Sequence, residues 1–222
     1  MDTFNNKDTF TNHKGVSDKM VKVLIATLYS ADPVLLAANR LGPDRLILLT
    51  DKKSDNKQDE SFKLIKESLG RVVDVQQVKC EVYDIVKVAQ KAVEIIDLQP
   101  RDDKIYVNIT SGRKTKALGL LFAAYARHDR VVKIAYNIEE DKNAIVYLPR
   151  LSFKLTDSQK KVLEMCCDDE YKNYTELAEK IKISRAMLYR NIDELRDMDL
   201  VSTEDGLKLT DAGMIARLWE DG

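Results

Sequence analysis

Residues 105–126 read IYVNITSGRKTKALGLLFAAYA, and this stretch decides the class of fold. Its first five residues are an apolar run that predicts a buried strand, and a polar turn follows at residues 110–112. The turn leads into an apolar helix with Arg113, Lys114 and Lys116 in its first turn. Cations at a helix N-terminus oppose the helix dipole, so they favour a helix end that receives an anion. We therefore expect an anion-binding strand–turn–helix, with an ordinary solvated helix start as the alternative.

The turn differs from two common phosphate-binding motifs. Gly112 has no second glycine at Walker spacing, and no Gly-Lys-Ser or Gly-Lys-Thr triplet follows it. The stretch does not match the GxGxxG fingerprint of dinucleotide-binding proteins either. The anion site predicted here is therefore of another kind.

Strands and helices are predicted to alternate along the chain before and after this stretch. Apolar runs predict strands at residues 21–27, 45–50, 72–78, 131–138 and 144–148. Helical spacing of apolar residues predicts helices at residues 32–41, 61–69 and 84–98. Asp32 is the expected N-cap of the first helix and Gly42 its C-terminal stop. This order predicts an α/β fold, in which a Rossmann-like parallel sheet ends in a β-hairpin.

Two loops of this predicted sheet are candidates for a ligand site. Ligands of such sheets bind outside the carboxyl ends of the strands, where residues 28–31 and 110–114 lie. Both loops carry hydroxyl side chains (Ser30, Thr110 and Ser111), and both precede a helix. Side by side, they would form one polar crevice that attracts anions.

Composition excludes several classes of protein. The chain has 222 residues, 44% of them hydrophobic, and a net charge of −1, so no global basic field indicates nucleic-acid binding. An odd number of cysteines, with Cys166 and Cys167 adjacent, does not form a disulfide framework and fits a reducing cytoplasm. Neither His13 nor His128 has a metal-ligand companion, so we expect no metal and no cofactor. No run is long enough to span a membrane.

The chain divides into three predicted parts. Residues 1–19 are polar and are expected to form a mobile extension, or an addition upstream of a native start at Met20. Residues 20–150 form the predicted Rossmann-like domain. Residues 151–222 change to a pattern of short helices and form the second predicted domain.

The second domain is predicted to be a winged helix-turn-helix. Thr156 can cap a first helix, residues 175–181 form a second, and Ser184 caps a longer third helix. Two short strands at residues 200–203 and 207–210 then flank a turn that ends in Gly206, and a last helix occupies residues 211–219. Three helices and a hairpin in this order are typical of that fold.

The third helix of this domain is the candidate DNA-recognition helix. It offers Ser184, Arg185, Tyr189 and Arg190, whose side chains can bond phosphates and base edges. Residues 152–222 nevertheless hold more acidic than basic side chains. A protein-interaction or dimerisation module is therefore the alternative to DNA binding.

The turn at residues 108–114, with its surroundings, resembles a known family. Asn108-Ile109-Thr110-Ser111-Gly112-Arg113-Lys114 resembles the Asn-x-Thr/Ser-Gly/Ser-Gly-x-Lys turn of the CRISPR-associated Rossmann-fold (CARF) proteins. The residues Thr27-Leu28-Tyr29-Ser30 match the family's other ligand loop. The resemblance extends from about residue 20 to the C-terminus, and it includes the winged helix of the transcription-regulator branch.

This resemblance implies a homodimer that binds a cyclic oligoadenylate, usually the tetramer, across its two-fold axis. Thr110, Ser111 and Gly112 would offer amides and hydroxyls, Lys114 would pair with phosphate, and Ser30 would close the other side. Arg113 departs from the small residue or threonine that is usual before the lysine. The full set of implied ligand contacts is Tyr29, Ser30, Asn108, Thr110, Ser111, Gly112, Arg113 and Lys114.

The resemblance also leaves an enzymatic alternative open. The ribonuclease branch carries an Arg-x4–6-His motif, which this chain lacks. Some CARF domains cleave their own ligand through its ribose 2′-hydroxyl, and Ser30 and Lys114 could position that reaction. Without a histidine base, we expect such a metal-independent ring nuclease to be slow. We therefore expect a transcription regulator of an antiviral CRISPR–Cas system, with a ring nuclease or a regulator that senses another nucleotide as alternatives.

Overall fold

A six-stranded sheet forms the larger part of the molecule. The computed structural model describes residues 20–138, 141, 144–149, 155–166, 173–204 and 206–218. In chain order the strands of the sheet are β1 (Lys22–Thr27), β2 (Arg45–Asp51), β3 (Asp74–Cys80), β4 (Lys104–Asn108), β5 (Val131–Asn137) and β6 (Ile145–Leu148). They lie in the order β3-β2-β1-β4-β5-β6, the first five are parallel, and β6 runs antiparallel to β5. The predicted α/β fold with a Rossmann-like parallel sheet and a terminal β-hairpin is confirmed.

Helices cover both faces of the sheet. They are α1 (Ala31–Leu41), α2 (Asn56–Leu69), α3 (Ile85–Asp97) and α4 (Lys114–Ala126). Alternate residues of a strand point to opposite faces. Val23 and Ile25 of β1 therefore pack in one cluster with α3 and α4, whereas Leu24 and Ala26 pack in another with α1 and α2. Burial on both faces explains why β1 is a continuous apolar run, and each fully buried leucine contributes about 1.5–3 kcal/mol.

Several helix and strand ends differ from those predicted. Helix α1 begins at Ala31 with Ser30 at the N-cap position, so Asp32 lies in its first turn and is not the cap. Helix α2 begins five residues before the predicted start, because the side chain of Asp55 accepts a hydrogen bond from the backbone of Gln58. Most of that first turn faces solvent and has no apolar periodicity that would reveal it.

Two further ends concern a glycine and a strand. Gly42 adopts a left-handed conformation at the end of α1 (φ 55°), and its N–H donates to the carbonyl of Ala38 (2.8 Å), so the predicted stop is confirmed. Strand β3 begins two residues later than predicted, because the N–H groups of Val72 and Val73 both donate to the carbonyl of Leu69. They therefore complete the turn after α2.

The C-terminal part contains three helices, a short hairpin and a last helix in the predicted order. They are α5 (Asp157–Met165), α6 (Tyr174–Ile181), α7 (Arg185–Asp197), β7 (Val201–Ser202), β8 (Lys208–Leu209) and α8 (Asp211–Ala216). Thr156 forms a capping box with Gln159, and Ser184 caps α7, both as expected. Leu163, Leu177 and Leu188 bring the three helices into one buried cluster.

Helix α8 attaches this part to the sheet. Ile215 is buried in the same cluster as the residues of α3 and α4. The guanidinium of Arg127, just beyond α4, donates to the carbonyl of Leu218 and makes a bidentate pair with Asp97 (2.7 and 2.9 Å). The C-terminal part therefore contacts the face of the sheet that carries α4.

Several predictions fall outside the described residues. They concern the N-terminal extension (residues 1–19), the proposed domain boundary at residues 150 and 151, Cys167, Asp205 of the hairpin turn and Trp219. Among the described residues, no helix has the length and apolar character needed to cross a membrane.

Candidate functional site

The candidate site lies where β1 and β4 end. The two strands are paired neighbours, with Ala26 opposite Asn108, and they lead to helices on opposite faces of the sheet. This is the topological switch point at which open α/β sheets bind ligands. We call residues 28–30 the β1 loop, residues 109–113 the β4 loop, and the space outside them the crevice.

Ser111 fastens the two loops to each other. Its hydroxyl oxygen accepts hydrogen bonds from the N–H groups of Tyr29 and Ser30 (both 2.9 Å) and donates to the carbonyl of Ser30 (3.1 Å). The hydroxyl of Thr27 donates to the carbonyl of Ser111. A hydroxyl with one donated and two accepted bonds is saturated, and Ser111 is 5% exposed. Its side chain therefore holds the loops together and does not offer its hydroxyl to the crevice.

Asn108 and Thr110 hold the β4 loop in place through hydrogen bonds to its backbone and to Asn137 at the end of β5. The side-chain oxygen of Asn108 accepts from the N–H of Thr110 (3.1 Å), and its amide donates to Asn137 (2.8 Å). The hydroxyl of Thr110 donates to the side chain of Asn137 (3.2 Å) and accepts from its backbone N–H (2.7 Å). Sequence reasoning did not identify Asn137, although a lone buried amide at the end of an apolar strand is a usable signal.

Gly112 is required by the path of the β4 loop. It has a φ of 97°, a region that side-chain-bearing residues rarely adopt. A Cβ at this position would also lie 3.2 Å from the Cβ of Thr27. The glycine therefore permits the close approach of the β4 loop to the end of β1.

The three cations predicted to act together have different environments. Lys116 is 0% exposed, and its ammonium lies 2.5 Å from the carboxylate of Asp51. Arg113, at the N-cap position of α4, pairs with the same carboxylate (3.0 Å) and lies over the ring of Tyr83 (5.6 Å). Lys114 is exposed and forms no ion pair within the part of the chain that the structure describes. Lys114 is thus the cation of this turn that has no ion pair within the described residues, whereas Arg113 is exposed but paired.

Asp51 holds both of the other cations. It is the last residue of β2, which extends one residue beyond the predicted strand at residues 45–50, and it is buried. Burial raises the pKa of its carboxyl group, but hydrogen bonds from Lys116 and Arg113 outweigh burial and bring the pKa below its usual value. The carboxylate therefore remains ionised and neutralises one of the two positive charges beside it.

The two helices that begin at the crevice lack side-chain caps. Neither Ser30, before α1, nor Arg113, before α4, caps its helix with a side-chain hydrogen bond. Among the described residues, the other six helices are all capped in this way, by Asp55, Asp84, Thr156, Asn173, Ser184 and Thr210. N–H groups in the first turns of α1 and α4 are therefore left without a side-chain acceptor, and the dipole of each helix favours an anion there.

The β1 loop supplies an aromatic ring and a hydroxyl. Tyr29 is half-buried, the ammonium of Lys57 lies 4.9 Å from its ring centre, and its carbonyl accepts from the hydroxyl of Ser61 (3.1 Å). Ser30 is also half-buried, and its own hydroxyl makes no hydrogen bond to the described residues. Both groups lie at the end of β1 next to the β4 loop.

The candidate DNA-binding residues lie at the start of α7. The hydroxyl of Ser184 accepts from the N–H of Met187 (3.2 Å), so it caps the helix. Arg185 and Tyr189 are exposed one turn apart, and the ring of Tyr189 contacts Tyr174 edge to face at 5.7 Å. Arg190 is exposed and pairs with Glu194 (2.9 Å). All four residues are thus exposed, and three of them have side chains that are not used to cap the helix.

The described residues contain no group of three or more His, Cys, Asp or Glu side chains that could hold a metal ion. The crevice has two helix ends without side-chain caps, and neither the ammonium of Lys114 nor the hydroxyl of Ser30 is bonded to the part of the chain that the structure describes. Such a crevice is suited to binding an anion with polar groups around it. Among the described residues the histidine is His128, which lies beyond the end of α4 opposite to Lys114 and therefore away from the crevice.

The chain is similar to several solved structures. They include Can2 from Sulfobacillus thermosulfidooxidans in complex with cyclic tetra-adenylate (16% identity, 89% of this chain, 63% of that chain, TM-score 0.47). They also include Enterococcus italicus Csm6 bound to cyclic hexa-2′-fluoro-hexa-dAMP (15% identity, 83% of this chain, 57% of that chain, TM-score 0.46). A third is protein VC1899 from Vibrio cholerae (11% identity, 89% of this chain, 64% of that chain, TM-score 0.48). The chain spans less than two thirds of the length of each of these proteins.

No curated protein matches the chain. A family model does, and it is described as HFX_2341_N:-like, N-terminal. The match covers residues 21–143, which is more than half of the chain and contains both the β1 loop and the β4 loop. The protein therefore belongs to the HFX_2341_N:-like, N-terminal family.

Proposed function

We propose that the protein is a homodimeric sensor of a cyclic oligoadenylate, with cyclic tetra-adenylate as the first candidate, and that it regulates transcription in a cytoplasmic CRISPR–Cas system. The observation that carries this proposal is the pair of helix N-termini without side-chain caps at the crevice, together with the ammonium of Lys114, which forms no ion pair with the described residues. The ligand class comes from the resemblance of residues 27–30 and 108–114 to the two CARF ligand loops.

The electrostatics of the crevice suit a nucleotide chain. An oligoadenylate carries one negative charge per phosphodiester, and each subunit offers two helix ends and Lys114 to such charges. The ring of Tyr29 provides a surface on which a base can stack, and the hydroxyl of Ser30 can bond a ribose or phosphate oxygen. Charge, stacking and hydrogen bonding are therefore available within one loop pair.

A ring with internal symmetry fits a two-fold dimer. The surface of α4 supports dimerisation, because after Lys116 the helix contains only apolar residues and Tyr125. Leu118 on its outer side is 43% exposed, and Leu121 and Phe122 are only partly buried. A surface helix that is apolar on nearly all sides favours a partner. In this proposal, pairing of two α4 helices brings two copies of Lys114 towards one ligand.

The output of the sensor is proposed to be DNA binding by a winged helix in residues 151–222. The exposed side chains of Arg185, Tyr189 and Arg190 lie on a capped helix, and a short hairpin follows it. Helix α8 contacts the same face of the sheet as α4, which begins at the crevice. Ligand binding regulates DNA binding if it favours one placement of the two winged helices over another.

A ring nuclease is the second candidate. It is favoured by the hydroxyl of Ser30 and the ammonium of Lys114, neither of which is bonded to the residues that the structure describes; they could orient a ribose 2′-hydroxyl and stabilise charge on phosphate. Within the described residues the histidine is His128, which lies about 20 Å away along α4, so the described part of the crevice holds no imidazole base for fast cleavage.

One experiment tests both candidates. Purified protein is titrated with cyclic tetra-adenylate by calorimetry, and the ligand is then analysed by chromatography after an hour. Linear tetra-adenylate and cyclic hexa-adenylate serve as controls for ring closure and ring size. We expect one intact ring per dimer and weaker binding of the linear control. Linear product formed from the ring would establish the nuclease, and no binding of either ring would refute the proposed ligand class.

A further inference from the structure

Lys116 is a charged side chain that has no contact with water. It is 0% exposed, and its ammonium meets three acceptors: the carboxylate of Asp51 (2.5 Å), the carbonyl of Leu28 (3.2 Å) and the carbonyl of Leu49 (3.4 Å). An ammonium has three donors, so this side chain is saturated by the protein. Lys116 therefore has no bond left for a ligand.

Stability alone does not explain a lysine at this position. Removing an ammonium and a carboxylate from water has a large cost, which their mutual attraction often fails to exceed. Apolar residues of similar volume often match or improve the stability of such buried pairs. The neighbouring residues of α4 that face the sheet, such as Leu120 and Ala123, are apolar. The geometry of the three acceptors thus gives a better account of the lysine than stability does.

The three acceptors belong to the framework of the crevice. Leu28 begins the β1 loop, and its carbonyl also accepts from the side chain of Gln58 (2.7 Å). Leu49 and Asp51 end β2, and the second oxygen of Asp51 directs the guanidinium of Arg113 (3.0 Å). One ammonium on α4 therefore connects the β1 loop, the end of β2 and, through Asp51, the residue that precedes α4.

We propose that Lys116, paired with Asp51, is a positioning residue for the ligand crevice. Its bond to the carbonyl of Leu28 fixes the position of the β1 loop, and with it Tyr29 and Ser30, relative to the first turn of α4. Lys116 itself does not contact the ligand. Asp51 at the same time retains Arg113 and leaves Lys114 as the cation that meets phosphate. The ligand in this role rests on the proposed function, but the role also implies that Lys116 orders the β1 loop when no ligand is bound.

The ligand-based test compares Lys116→Met with Lys87→Met. Methionine is apolar and of similar length, so it removes the ammonium with little change in volume. Lys87 also pairs with an aspartate, Asp84 (3.0 Å), but on the surface of α3, and it serves as the matched control. We expect Lys116→Met to weaken the binding of cyclic tetra-adenylate at least tenfold and to lower the thermal midpoint, because Asp51 stays buried with one cationic partner fewer. The control should bind as the wild type does.

The ligand-independent test is hydrogen exchange in the free protein. We expect the amides of Tyr29 and Ser30 to exchange at least tenfold faster in Lys116→Met, with no change in Lys87→Met and none in the strands. If the wild type binds no cyclic oligoadenylate, the proposed function fails, and this measurement still decides the role of Lys116. Unchanged loop exchange in Lys116→Met would overturn the positioning role.

A variant that lacks both charges separates a loss of loop positioning from a loss of folding. If Lys116→Met leaves Asp51 buried and unpaired and does not fold, the double variant Lys116→Met/Asp51→Asn carries no charge at the site. We expect it to fold and to show the same fast loop exchange. Failure of both variants to fold would refute positioning, because the pair would then be a requirement of the fold itself.

Discussion

Gly119 of α4 lies directly against Val88 of α3. A Cβ at Gly119 would lie 2.5 Å from the Cγ1 of Val88 and 3.2 Å from the carbonyl oxygen of Ile85. Real Cβ atoms do not approach other atoms so closely, so the two helices pack at a distance that only a glycine permits. Helix α4 is thereby held close to its neighbour in the middle of its length.

This contact predicts that Gly119→Ala destabilises the protein. Alanine usually stabilises a helix by about 1 kcal/mol over glycine, but overpacking of a tight contact costs about 1–3 kcal/mol. We expect a net loss in the free energy of unfolding, measured by urea denaturation. Val88→Ala in the same chain should recover part of the loss, whereas additive effects of the two changes would contradict the contact.

Lys114→Ala should weaken ligand binding much more than it weakens the fold. The side chain is exposed and has no ion pair in the described residues, so its loss should change stability by less than about 0.5 kcal/mol. A charge-assisted bond to phosphate contributes about 1.5–3 kcal/mol, which corresponds to a roughly ten- to hundredfold change in Kd. Calorimetric titration with cyclic tetra-adenylate measures the effect, and equal affinity in the variant would exclude the phosphate contact.

Arg185→Ala and Arg190→Ala should each reduce DNA affinity and its dependence on salt. A lost phosphate contact lowers the slope of log K against log salt by about one unit. Fluorescence anisotropy with duplex DNA between low and physiological salt measures that slope. Arg101→Ala is a suitable control, because Arg101 is exposed and pairs with Asp129 at a distant turn (3.7 Å). Unchanged binding in both α7 variants would favour the interaction-module alternative.

Asp51 should make the protein sensitive to acid. Its pKa is lower in the folded chain than in the unfolded chain, although burial opposes this shift, because Lys116 and Arg113 bond its ionised form. Its contribution to stability is therefore complete above the unfolded value of about 3.9 and is lost as pH falls through the folded value. We expect Lys116→Met/Asp51→Asn to lose less stability than the wild type when urea denaturation is repeated from pH 6 to pH 3. Equal losses would contradict this assignment.

Cys80 should resist alkylation while the protein is folded. It is 3% exposed, and burial raises the pKa of its thiol to about 11, so the reactive thiolate is scarce at neutral pH. We expect iodoacetamide at pH 8 to modify this cysteine only after denaturant is added, as measured by mass spectrometry of the tryptic peptides. Rapid labelling of Cys80 in native protein would show that the end of β3 opens readily.

Apolar runs and turn residues were sufficient to predict most of the fold. Strand β1 was recognised because it is buried on both faces, and the end of α1 because Gly42 supplies a left-handed stop. The start of α2 was missed because that turn is polar and is set by Asp55. Local sequence patterns therefore predict an element where buried apolar residues recur along it. They miss a helix start that is set by a single polar capping residue.

The sequence was enough to predict where the candidate site lies but not what each of its residues does. Strand order and loop composition were enough to predict that residues 28–31 and 110–114 would meet. Sequence could not show that Lys116 points inward while Lys114 points outward, because the difference depends on Asp51, which approaches from β2. Similarly, the role of the Ser111 hydroxyl depends on the backbone N–H of Tyr29, which is far from it in the sequence and beside it in the fold.

The hydrogen bond from the N–H of Tyr29 to Ser111 joins residues 82 positions apart in the chain. At a synthesis rate of roughly 5–20 residues per second, Ser111 is therefore added about 4–16 s after Tyr29. Over that interval β1 has β2 on one side only, and the unpaired backbone groups of its other edge flank the apolar residues 23–26. Strand β4, which later completes the crevice, thus also covers an edge that would otherwise be open to pairing with another chain.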